Sequence, residues 1–285
     1  MSTEILAFPS GASSERSAPA GAGGASSEAR TPVLIGCSHG TSDLTGRAVV
    51  RALLDDVRAA RPDLDVREAF VDVQQPEVGD VVTSVVAPDA ELPRDAVVVP
   101  LLLSGGFHVG VDVAESVADR GPGTGRAAAG TPLGPDPRLV DLLADRLAEA
   151  GVRPDDAVVI AAAGSSRPGA ARDVEQLAAG LRERVSGPVT VGYGAMAQPS
   201  VPDAVAAARA GLTAGGGPGE GTSSGTAAEP AARVVVAAYL LAPGYFYDRV
   251  LEAGGDVVTA PLAPDPRLTE IVLDRYAEAA VRLPA

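Results

Sequence analysis

The stretch Thr131-Pro132-Leu133-Gly134-Pro135-Asp136-Pro137-Arg138-Leu139 returns, nearly letter for letter, as Ala260-Pro261-Leu262-Ala263-Pro264-Asp265-Pro266-Arg267-Leu268. Each copy opens a helical pattern, one from Val140 to Ala150 and the other from Thr269 to Ala280. Self-similarity over so long a motif is read first as an internal duplication. Further pairs follow in the same order. Val33-Leu34-Ile35 matches Val158-Val159-Ile160, Gln75-Pro76-Glu77-Val78 matches Gln198-Pro199-Ser200-Val201, and Leu101 to His108 matches Tyr239 to Phe246. The chain therefore reads as two copies of a unit of roughly 125 residues, with the join near residues 151–156.

Within each unit, apolar runs alternate with helical patterns. In the first, strands are predicted at Val33–Cys37, Val66–Val73, Ala96–Leu103 and Ala127–Gly130, and helices at Gly46–Ala60, Glu77–Ala87, Val111–Asp119 and Pro137–Ala150. The strands are continuous apolar runs, which suits a sheet covered on both faces. Strand–helix alternation predicts parallel βαβ units in an α/β, doubly wound arrangement. The predicted domains are 31–152 and 153–285, preceded by a disordered tail over 1–30 and interrupted by a flexible Gly/Ser/Thr/Ala-rich insert over 211–232.

The bulk composition narrows the function. The net charge of −14 argues against nucleic acid and against an anionic membrane surface. All 23 basic residues are arginine. A single cysteine excludes an intramolecular disulfide framework and any multi-cysteine metal site. No apolar run reaches membrane-spanning length and the first 30 residues lack the apolar core of a secretory signal, so a cytoplasmic location is expected.

Only two histidines occur, each in a glycine-containing loop after an apolar run. His39 follows Val33 to Ser38, and His108 follows Val97 to Leu103 and then Ser104-Gly105-Gly106-Phe107. Loops at the carboxyl ends of parallel strands form the binding crevice of such sheets. Asp72 is predicted at the end of the second strand, so His39, Asp72 and His108 are expected to converge. Two imidazoles and a carboxylate suit Fe, Co, Ni or Zn with positions left open. The second unit carries Ala163, Ala195 and Phe246 at these three positions. A framework that survives loss of the polar residues did not need them for folding. Cys37 reads as a small buried residue rather than a nucleophile, Ser38 lacks a nucleophile elbow, and Gly121–Gly125 lacks the lysine and the setting of a phosphate loop.

Ser38-His39-Gly40-Thr41, Ala69-Phe70-Val71-Asp72-Val73-Gln74-Gln75-Pro76 and Val99 to Val109 resemble the motifs of the CbiX/SirB-type sirohydrochlorin chelatase family. Ala163 to Pro168 and Leu240 to Tyr245 resemble its degenerate partner motifs, and the likeness covers residues 31–285 outside the insert. The resemblance implies two tandem chelatase-like domains, each a mainly parallel sheet flanked by helices, facing across a cleft. It implies a lyase-type enzyme that inserts iron, for sirohaem, or cobalt, for cobalamin, into the tetrapyrrole sirohydrochlorin. Its two catalytic histidines carry over to His39 and His108, which would hold the metal. Its acidic residue, often Glu, carries over to Asp72, one methylene shorter. No organic cofactor is implied; the divalent metal, Fe, Co or Ni, is a substrate. The tetrapyrrole carries many carboxylates, so Arg47, Arg167 and Arg249, with Ser104 and Gly105, are the candidate substrate contacts. A non-catalytic metal or tetrapyrrole carrier would use the same cleft. A duplicated chain builds a two-domain cleft without dimerising, so a monomer suffices.

Overall fold

The computed structural model describes residues 31–89, 93–106, 109–215 and 231–283. The tail over 1–30 and the second histidine, His108, lie outside the described residues. The apolar runs form two four-stranded parallel sheets among those residues. The first contains β1 (Val33–Ser38), β2 (Val66–Phe70), β3 (Ala96–Pro100) and β4 (Ala127–Ala129), in the order β2-β1-β3-β4. The second contains β5 (Ala157–Ala162), β6 (Val189–Tyr193), β7 (Val234–Tyr239) and β8 (Val257–Val258), in the order β6-β5-β7-β8. The helices of the first half are α1 (Leu44–Ala60), α2 (Val78–Val86), α3 (Ala114–Ser116) and α4 (Pro137–Glu149). Those of the second are α5 (Pro168–Arg182), α6 (Val201–Gly215), α7 (Tyr245–Leu251) and α8 (Pro266–Ala280).

Alternation along β1 sends Val33, Ile35 and Cys37 to one face, where they pack with Val78, Val81, Val82 and Val85 of α2. Leu34 goes to the other face, toward Leu53, Leu54 and Val57 of α1. Both faces are covered, which is why the strands show no polar alternation. Helix α6 covers the outer face of the second sheet in the same way through Val201, Ala204 and Val205.

The last helix of each half crosses to the other half. Helix α4 packs on α5 and β7, and α8 packs on α1 and β3. Arg146 of α4 donates to the carbonyls of Pro261, Leu262 and Pro264, each at 3.0 Å. Its repeat mate Arg275 donates to Pro132 O at 3.0 Å and pairs with Asp136 at 3.0 Å. The exchange is reciprocal again in Arg138–Asp274 at 2.8 Å and Arg267–Asp145 at 2.7 Å. Leucines 139, 142, 143 and 147 of α4 and Ile271, Val272 and Tyr276 of α8 therefore belong to one hydrophobic core with residues of both sheets. The described residues from Thr31 onward form a single compact unit as a result.

Several sequence expectations need correction. The strand β2 stops at Phe70 rather than Val73, because the chain turns back and Phe70 N–H bonds Pro76 O at 3.0 Å. The strand β3 stops at Pro100, where proline provides no amide for the ladder. The expected helix Val111–Asp119 is a π-turn over Val109–Val113 followed by the one-turn α3. The register of the first pair also shifts by one: Val33 N–H bonds Asp95 O and Ala157 N–H bonds Arg233 O, so Val33 aligns with Ala157. Helix α6 continues to Gly215, so the first five residues of the expected insert 211–232 are helical, with Leu212 packed on the core. Residues 216–230 of that segment lie outside the described residues.

Candidate active site

A cleft of about 750 Å³ lies between the carboxyl ends of the two sheets. Its first-half wall includes Ser38, His39, Arg47, Glu68, Gln74 and Ser104, and its second-half wall includes Ala162, Ala163, Ala171, Ala197 and Ala242. The backbone pairs five of the first six with these five alanines, and pairs Glu68 with Val191 of β6. Asp72 N–H bonds His39 O at 3.1 Å, and Ala195 N–H bonds Ala163 O at 3.0 Å. Gly40 and Gly164 follow, at φ +90° and +88°, and a Cβ on either would strike the carbonyl of Asp72 or Ala195. Glycine is required at both turns for that reason. Helices α1 and α5 align through the buried pairs Gly46/Ala170, Leu53/Leu177 and Val57/Leu181. Arg47 thus corresponds to Ala171. Glu68 pairs with Gly36 in β1, and Val191 pairs with Ile160 in β5, so Glu68 corresponds to Val191. At these positions the first half carries polar side chains and the second apolar ones, while Ser165, Ser166, Tyr193 and Tyr239 of the second half also line the cleft.

His39 is exposed one residue beyond β1, and its Nδ1 lies 3.4 Å from Gly40 O. Arg47 donates through Nε to Thr41 O at 2.7 Å, and no carboxylate among the described residues pairs with it. It is a cation in the cleft. Gln74 is fixed by accepting Thr41 N–H at 2.9 Å. Glu68 has only a long contact, 3.4 Å, to Arg51.

The other candidates are placed differently. Asp72 is exposed, and its carboxylate turns back to accept Val73 N–H at 2.7 Å, so it does not line the cleft. Arg249 pairs with Glu252 at 3.2 Å and lies over the Tyr245 ring, which accounts for its charge away from the cleft wall. Arg167 occupies the N-cap of α5 and is also absent from the wall. Ser104 lines the cleft, whereas Gly105 gives its amide to Asp173 at 2.9 Å. The structure thus brings together His39, Arg47 and Ser104 of the expected set. No group of three His, Cys, Asp or Glu side chains able to hold a metal occurs among the described residues, which do not include His108. Burial, with a smaller push from the Asp112 charge, raises the Cys37 thiol to about 12, so it stays protonated and is no nucleophile.

Glu68 was missed in the sequence. The signal was available: setting Val66–Phe70 against Val189–Tyr193 puts it opposite a valine, the same polar-to-apolar change that marks the histidines.

The rim is apolar. Val73 and Met196, equivalent residues at φ 55° and 60°, are 55% and 81% exposed. Tyr245 and Phe246 stack edge to face with ring centres 5.6 Å apart, and Phe246 lies against Gly194. No helix among the described residues is long and apolar enough to cross a membrane.

Comparison with solved structures gives the same fold. SirB from Bacillus subtilis with Fe3+ is 20% identical with a TM-score of 0.69, over 88% of this chain and 96% of that one. The sirohydrochlorin chelatase SirB of Bacillus subtilis subspecies spizizenii in complex with cobalt is 18% identical with a TM-score of 0.68, over 88% and 96%. CbiX, described as the terminal enzyme for siroheme biosynthesis in denitrifying bacteria, is 19% identical with a TM-score of 0.56, over 87% and 99%. No curated protein sequence gives a match. The model of the CbiX family matches residues 33–150 and again 157–279, so the chain belongs to the CbiX family, with the family unit present twice.

Proposed function

We propose that this chain is a sirohydrochlorin chelatase, which inserts a divalent metal, iron or cobalt, into the tetrapyrrole. The observation that carries this reading is the two-faced cleft. His39, Arg47, Glu68 and Ser104 stand on one wall where the twin fold has Ala163, Ala171, Val191 and Ala242. A macrocycle has flat apolar faces, charged edges and a metal centre. The alanines of the second half, with an aromatic and methionine rim, support one face and leave the other toward His39, Arg47 and Glu68. Arg47 offsets substrate carboxylates in a chain of net charge −14.

Metal entry expels two pyrrole N–H protons, so the polar wall must hold a cation and take up protons. Neutral imidazole does both. His39 and His108 fill these roles in this reading. Asp72, with its carboxylate on its own backbone, acts on the turn after β2 rather than as a ligand. Related SirB structures hold Fe3+ and cobalt, which supports either metal as substrate.

The test is metallation of sirohydrochlorin with Fe(II) and with Co(II) under substrate excess. Many turnovers per chain are expected. Product that stops at one equivalent would instead describe a carrier. The rate is expected to fall as the medium is made acidic enough to protonate imidazole, since imidazolium neither binds a cation nor accepts a proton. A rate that rises toward pH 5 after subtraction of the uncatalysed reaction would overturn neutral histidine in these roles.

Glu68 adds negative charge on the same wall, which favours arrival of a dication. Glu68→Val copies the second half, so the strand is expected to keep its packing. Insertion should drop on the order of tenfold at low metal concentration, within the range for a group beside a metal site. An unchanged apparent KM for the metal would remove Glu68 from the reaction.

A further inference from the structure

The loop after β3, Leu103 to Gly106, borders the cleft and leads in sequence to Phe107 and His108. Two polar side chains of the second half reach into it. Asp173 of α5 accepts Gly105 N–H at 2.9 Å. Tyr239, the last residue of β7, is 2% exposed and donates its hydroxyl to Leu103 O at 2.9 Å. Burial, aided by the charges of Asp173 and Asp136, pushes the Tyr239 hydroxyl well above the ordinary tyrosine range, so it remains a donor.

The repeat provides an internal control. The alignment that pairs Gly46 with Ala170 places Val49 opposite Asp173, and Val49 is packed against the core. The residue equivalent to Gly105 is Pro243, which has no amide hydrogen, and the residue equivalent to Tyr239 is Leu101. The loop after β7 therefore has neither the donor nor the acceptor of the first contact, and the first half returns no hydroxyl. Leu241 O, equivalent to Leu103 O, accepts the backbone N–H of Ala263 at 2.9 Å instead. The pair of side-chain contacts runs in one direction only, from the half without histidines to the half with them.

We infer that Asp173 and Tyr239 are positioning residues for the reaction of the first half, holding the loop Leu103–Gly106 at the cleft across the boundary between halves. This rests on reading that cleft as the chelation site. Partners one step removed from a metal-handling group typically change activity by 10- to 100-fold when lost. Under this inference the degenerate half contributes to turnover through its own side chains as well as through its apolar wall.

The experiment compares Asp173→Val, Asp173→Asn and Tyr239→Phe in the full chain. Asp173→Val is expected to lower kcat about tenfold with little change in KM for the tetrapyrrole. Asp173→Asn still offers an oxygen to Gly105 N–H and should restore most of the rate. Tyr239→Phe should lower kcat several-fold on its own. Amide hydrogen exchange is measured in parallel, because it reads the brace without turnover: Gly105 should exchange faster in Asp173→Val and normally in Asp173→Asn. Unchanged exchange in Asp173→Val, or an Asn variant as impaired as the Val variant, overturns the inference. A wild-type chain that inserts no metal while the exchange pattern holds would defeat the chelatase reading and leave the brace standing.

Discussion

Alanine in place of His39 is expected to lower metal insertion by about 10²- to 10⁴-fold, the usual worth of a positioned acid–base group. The fold should not notice. The backbone bonds that frame His39 also frame Ala163, so the protein already contains a working model of the variant. His39 is exposed, and substitutions at such sites usually stay within about 0.5 kcal/mol. The melting temperature should therefore move by no more than about 2 °C. Insertion rate and melting temperature measured on the same preparation decide the matter. A variant that keeps a third of the wild-type rate would place the chemistry elsewhere. Adding Ala163→His to the variant should not rescue it, because Glu68 and Arg47 have no counterparts on that side.

The second large effect is on stability. Asp156 is fully buried just before β5, where the halves join. It accepts the amides of Arg153 and Arg233, each at 2.9 Å, and their guanidinium groups at 2.9 and 2.7 Å. Burial alone would raise its carboxyl. The bonds from Arg233 and Arg153 outweigh it and hold the group far below the usual carboxylate range. Asp156→Ala is expected to cost about 3 kcal/mol, the lower end for breaking a buried pair, since both arginines stay partly in water. That corresponds to about 6 to 12 °C in melting temperature for a domain of this size. Because the folded-state value is depressed, the contribution is complete above the unfolded value near 4 and fades as pH falls through and below it. The gap between wild type and Asp156→Asn should therefore narrow from pH 6 to pH 3. A gap that is constant with pH would mean that the charge is not its source.

What could be read from the sequence was whatever repeats or runs. The two Pro-Asp-Pro-Arg motifs exposed the duplication, and the uncharged, mostly aliphatic runs of β1, β3, β5 and β7 declared parallel strands with both faces covered. The loop of His39 was visible because the run Val33–Cys37 before it is short and apolar. Other features depend on where chains meet. Nothing local in α4 says that its leucines serve the second sheet, since the same apolar stripe would suit either partner. Asp72 looked like a ligand by position, yet the turn closed by Phe70 and Pro76 leaves its carboxylate nearest its own backbone. Arg249 reads as a substrate contact from its place after a strand end, and that position alone does not show that Glu252, one turn on, lies 3.2 Å from it. The Asp173 contact joins residues 68 positions apart and leaves no periodic trace.

The crossing of α4 and α8 also bears on how such a protein can change over time. A chain containing one half alone would have to borrow its last helix from a second copy, so its folding would depend on concentration. Covalent fusion replaces that encounter with a fixed effective concentration. It also separates the fates of the two copies. In a homodimer every substitution appears twice, so a histidine cannot be lost on one side only. Once both copies share a chain, one can trade histidine, glutamate and arginine for alanine, valine and alanine, while the other keeps the chemistry and both keep the common core.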